Sequence, residues 1–137
     1  MKSVLSRTLL RRAGFALLCL GATTCGGDVG PPAQGAINIS PNTISFTAVP
    51  GAAIEPKTVG VTPATSAALT GVAASSVYAS PPPSPWLGLE LGSTDATLED
   101  PAILTLEVTN TNLPAGTYRA TVTVESANAD NNPRVSV

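Results

Sequence analysis

The side chains in this sequence that could do chemistry are nine carboxylates and two cysteines, with no histidine to serve them. The missing imidazole removes the usual general base at neutral pH, the Ser-His-Asp arrangement and the commonest metal ligand. Carboxylates alone can hydrolyse glycosides when two of them stand about 5 to 10 Å apart across a cleft. Glu90, Asp95, Glu99, Asp100 and Glu107 could supply such a pair, yet any acidic strand surface offers the same, and a small single domain has little room for a water-excluding site. Asp95, Glu99 and Asp100 in one segment, and Asp130, Asn131 and Asn132 in another, are hard oxygen ligands without the spacing of a calcium loop. Cys25 lies in a glycine-rich run and Cys19 in an apolar one, neither beside a base that could activate a thiol. These residues predict no enzyme activity, no cofactor and no metal.

Cys25 takes a different meaning from what precedes it. Lys2, Arg7, Arg11 and Arg12 lead into an apolar run over residues 13–22, the pattern of an export signal. The run is about half the ~20 residues that span a bilayer as a helix. Thr23-Thr24-Cys25-Gly26-Gly27-Asp28 resembles the close of a bacterial lipoprotein signal peptide. That resemblance implies that Cys25 is acylated and becomes the new N-terminus, anchoring the protein to a membrane of the cell envelope on its periplasmic or surface side. A soluble secreted protein cleaved near Ala22 is the alternative. The expected organisation is a signal peptide over residues 1–24, a flexible tether over 25–35 and one domain over 36–137.

Removing the signal leaves Lys57, Arg119 and Arg134 against nine acidic side chains, a net charge of −6. Such a surface cannot neutralise a phosphate backbone, so nucleic acid is not an expected partner. Membrane retention would then rest on lipid, and firm anchoring takes more than one acyl chain.

The domain must be built from short strands, because 12 Gly and 13 Pro accompany only 4% aromatic residues. Residues 117–125 place Tyr118, Ala120, Val122 and Val124 on one face of a period-2 pattern and Thr117, Arg119, Thr121, Thr123 and Glu125 on the other, after a turn at Pro114-Ala115-Gly116. Leu104, Leu106 and Val108 alternate in the same way, and the two strands are expected to be neighbours. Val59 with Val61, and Leu87, Leu89 and Leu91, mark two more inner faces. A first strand over residues 36–40 is broken by Pro41 and followed by a second piece carrying Ile44 and Phe46. The Ala- and Ser-rich stretch over 68–78 is read as one long strand, and Pro81, Pro82, Pro83 and Pro85 as a stiff crossover. A strand starting at Arg134 reaches only four residues, which predicts an open edge on its longer neighbour, residues 117–126, where a partner strand could add.

Six to eight such strands without a helical repeat predict an all-β fold, an immunoglobulin-like antiparallel β-sandwich of about seven strands. Tyr118, two residues after Gly116, stands where a tyrosine corner would place its hydroxyl against the turn backbone near Pro114. Ile39-Ser40-Pro41 followed by Ile44-Ser45-Phe46, Trp86-Leu87, the run from Leu113 through Pro114, Ala115, Gly116 and Thr117 to Tyr118, and Asn132-Pro133 together resemble the BACON family of bacterial immunoglobulin-like domains over residues 37–137. The resemblance implies an extracytoplasmic module, proposed in that family to bind carbohydrate or mucin, and no catalytic residue.

Sugar recognition needs an exposed aromatic platform with polar neighbours. With Phe46 and Tyr118 assigned to the core, Trp86 and Tyr78 are the candidate carbohydrate-binding residues. Strand parity sets Trp86 opposite Leu87, Leu89 and Leu91, so it either faces out as a platform or turns inward as a packing anchor. The expected function is a non-catalytic interaction or spacer module of the envelope, its partner an envelope protein or an extracellular glycan; the alternative is a carbohydrate- or mucin-binding module using Trp86.

Overall fold

A computed structural model describes residues 34–49, 52–79 and 85–137. Residues 1–24, read as a signal peptide, Cys25, most of the expected tether and the prolines at 81–83 lie outside the described residues. Seven strands run in chain order, β1 Ile37–Ser40, β2 Lys57–Pro63, β3 Ala73–Ala79, β4 Leu87–Leu91, β5 Ala102–Val108, β6 Arg119–Glu125 and β7 Arg134–Ser136. They form two antiparallel sheets, ordered β1-β2-β5-β4 and β3-β6-β7, packed as an all-β sandwich.

The alternation in the sequence sets which side chains meet between the sheets. Val59 and Val61 from β2, Leu104 and Leu106 from β5, and Val122 and Val124 from β6 are fully buried, with Val135 from β7 beside them. No polar or charged side chain is buried among the described residues. The core is therefore held by burial of small aliphatics, each contributing roughly 1.5–3 kcal/mol relative to exposure.

Two expectations, one pairing and one strand, are corrected. β5 and β6 are not neighbours: β5 lies between β2 and β4, whereas β6 lies between β3 and β7. Tight hairpins close with two to five residues, and the longer segment 109–118 instead carries the chain from one sheet to the other. The stretch 68–78 is not one strand either, because Gly71 adopts φ 61°. A Cβ there would sit 3.1 Å from that of Ala127 and in the left-handed region, so the chain bends and β3 begins only at Ala73. Before the bend, Leu69 makes an isolated bridge to Ala96 and is fully buried.

Pro41 ends β1 and the chain changes sheets. Residues 42–44 leave β2 and run parallel to β7, with the Ile44 amide donating to the Ser136 carbonyl at 2.8 Å and the Ser136 amide to Asn42 at 3.0 Å. The piece carrying Ile44 and Phe46 is thus a sheet-switching segment rather than a strand in its own right. Pairing also starts at Gly35, whose amide donates to the Asn128 carbonyl at 2.7 Å.

Candidate functional site

Trp86 immediately precedes β4 and is 5% exposed. Tyr78 from β3 flanks it at 5.9 Å between centroids with planes tilted by 57°, and Tyr118 flanks it on the other side at 6.4 Å and 53°. Tilted pairs at these separations bring ring edge toward ring face, which adds to the area buried. The Trp86 indole N–H finds no acceptor among the described residues.

Each tyrosine hydroxyl is spent on backbone. Tyr118 donates to the Pro114 carbonyl at 2.7 Å, four residues upstream, in the geometry of a tyrosine corner. The ring of Tyr118 also lies 3.7 Å from the position a Cβ on Gly116 would take, so the turn glycine lets the ring close over the corner. Tyr78 donates to the Leu87 carbonyl on β4 at 3.0 Å and accepts from the Ser76 hydroxyl at 3.3 Å.

Of the two orientations open to Trp86 in the sequence, platform or packing anchor, the packing is that of the anchor. Trp86 turns inward at the strand start instead of following strand parity outward, and a buried indole between two tyrosines cannot stack on a pyranose face. Tyr78 is half-buried with its hydroxyl committed.

At the end of the sandwich nearest Trp86, residues 43–48 and the 109–118 crossover diverge and leave a cleft of about 660 Å³. Phe46, Ile54, Leu113 and Tyr118 form much of its apolar wall, Trp86 reaches its floor, and Arg119 brings a cation to the rim. Lys57 fastens one wall, its ammonium donating to the Ser45 carbonyl at 2.7 Å and lying 5.6 Å from the Phe46 ring centroid.

The carboxylates are not gathered. Glu90, Asp95, Glu99, Asp100 and Glu107 are all exposed. Glu90 and Glu107 lie on the neighbouring strands β4 and β5, whereas Asp95, Glu99 and Asp100 occupy the loop after β4, where the Asp100 amide bonds Thr97 Oγ1 and the Asp95 amide bonds Ser93 Oγ. Among the described residues no group of three or more His, Cys, Asp or Glu is placed to hold a metal. Asn131 has a backbone role that the sequence reading missed. Its Oδ1 accepts from the Ile37 amide at 2.6 Å and its Nδ2 donates to the Ile37 carbonyl at 2.9 Å, so the amide side chain pairs with β1 as a short strand would.

No family model matches the chain, and no curated protein or solved structure does.

Proposed function

We propose that this chain is an exported, lipid-anchored, immunoglobulin-like interaction or spacer module of the bacterial cell envelope, of the BACON type and without catalytic activity. The observation that carries the reading is the commitment of Tyr78, Trp86 and Tyr118 to one another and to backbone carbonyls, which makes the aromatics part of the scaffold. What such a module offers a partner is strand edges and sheet faces.

The immunoglobulin-like assignment is supported by strand order. Lettered A to G, the sheets read A-B-E-D and C-F-G, the constant-type arrangement, and Tyr118 stands at the E-to-F corner. Anchoring is supported by the sequence pattern ending at Cys25. It is tested by growing cells that express the full chain with a radiolabelled fatty acid. The wild-type chain should take up label and sediment with membranes, whereas Cys25→Ser should do neither; label retained by Cys25→Ser, or a wild-type chain that stays soluble and unlabelled, would overturn the anchor.

A further inference from the structure

Four strands lie at sheet edges, and three of them are blocked by identifiable devices. The bonds from Ala64 to Ala36, and the register beyond them, turn the main-chain groups of Ile37 away from β2, where Asn131 satisfies both. On β7 the outward groups of Ser136 are taken by Asn42 and Ile44. β4 is only five residues long, carries the exposed Glu90 and has its outward Leu87 carbonyl capped by Tyr78. The open edge that the sequence suggested on β6 is closed as well: Ala120 exchanges two 2.9 Å bonds with Val137, and Val124 donates to Pro133.

The fourth edge, β3, has none of these devices among the described residues. Because Ala120 and Val124 direct their main-chain groups to the β7 side, Thr121 and Thr123 direct theirs to β3, where the register pairs them with Val77 and Ser75. Adjacent residues of a strand point their main-chain groups in opposite directions, so the N–H and C=O of Ala74, Ser76 and Tyr78 face out of the sheet. β3 is seven residues long, has no charge and no proline, and presents Val77 at 67% exposure on its outer face. Native folds blunt such edges unless something pairs with them.

We propose that β3 is a dimerisation edge that pairs antiparallel with β3 of a second copy of this chain. Ser76 is the midpoint of β3 and belongs to the outward-directed set. A two-fold axis at Ser76 therefore sets Ala74 against Tyr78 of the second copy, Ser76 against Ser76 and Tyr78 against Ala74, and uses all six outward-facing groups in one register. On the outer face Ser75 then stands opposite Val77, and no charge meets its like across the axis. On β6, Glu125 lies beside Ala73 and Arg119 beside Ala79. The same axis brings Ala73 next to Ala79 of the second copy, so the two terminal rows each run from Glu125 of one copy to Arg119 of the other. The result is one six-stranded sheet through both molecules. This deepens the interaction-module reading by naming its partner, and anchoring to a membrane would favour it by raising the local concentration.

The test is sedimentation of the full chain in density-matched detergent, with Trp86 emission reporting the fold of each variant. A two-chain species is expected. Ser75→Lys with Val77→Lys sets two ammonium groups against each other in each row and should weaken association about a hundredfold. Ser75→Glu with Val77→Lys sets opposite charges there and should restore it. Amides of Ala74, Ser76 and Tyr78 should gain exchange protection as concentration rises, a readout that stands even if a variant fails to fold. A single-chain species at about 100 μM, a folded double-lysine variant that stays dimeric, or a folded Glu/Lys variant that stays single would each overturn the proposal. Monomeric chains that still acquire lipid at Cys25 would remove the partner and leave the anchored module standing.

Discussion

Tyr78 on β3 donates its phenolic hydrogen to the carbonyl of Leu87 on β4 at 3.0 Å, joining the edge strand of one sheet to the edge strand of the other. The bond lies beside the Tyr78–Trp86 contact, so hydrogen bonding and ring packing fix the same corner of the sandwich. Tyr78→Phe keeps the ring and removes the bond. Chemical denaturation should find it less stable by about 1 kcal/mol, the usual worth of one such bond, with faster amide exchange along β4.

Trp86 carries a large share of the aromatic packing but no hydrogen bond among the described residues. Trp86→Ala should cost about 3–5 kcal/mol through the cavity it leaves. Trp86→Phe, which removes only part of the volume together with the unpaired N–H, should cost well under half of that. In the wild-type protein the emission should be blue and unmoved by polysaccharides or mucin. A red emission that shifts on adding one glycan would contradict the packed position.

At Tyr118 the hydroxyl closes a loop of four residues onto Pro114. Tyr118→Phe is expected to lower stability by about 1 kcal/mol without changing the strand pairing, as measured by denaturant midpoint and by exchange in β6. An unchanged midpoint would mean that the corner bond contributes nothing in water.

Asn131 serves both main-chain groups of Ile37 from 94 residues away in sequence. Asn131→Ala should destabilise the fold by about 1–3 kcal/mol, since a donor and an acceptor lose their partner. It should also unblock β1, so that the variant forms larger species than the wild type in sedimentation. Asn131→Asp keeps the acceptor and loses the donor, and should fall between the two.

Alternation in the sequence was enough to place Val59, Val61, Leu104, Leu106, Val122 and Val124 in the core, because a period of two fixes the face of a strand irrespective of its neighbours. It does not name the neighbour. Leu106 and Val122 carry the same signal, yet one pairs with Lys57 and Leu89 and the other with Ser76 and Val135. For Trp86 the sequence left two orientations open, since residues at a strand start escape the parity of the strand, and only the packing against Tyr78 and Tyr118 decides between them. The closing of β7 by residues 42–44, and of β1 by Asn131, joins segments about 90 residues apart, and no local pattern records such a meeting. Gly71 was the one local signal passed over, a lone glycine inside an Ala-rich run that marks a bend.

The pairing of β2 with β5 and of β3 with β6 brings together residues about 50 positions apart, Lys57 with Leu106 and Ala73 with Glu125. Loops of that length must close before the two central pairings can form, a topology that slows folding to milliseconds or seconds. A newly synthesised chain would therefore pass through an interval in which β3 lacks β6, and the uncharged run from Ala73 to Ala79 is where a holdase would act to greatest effect.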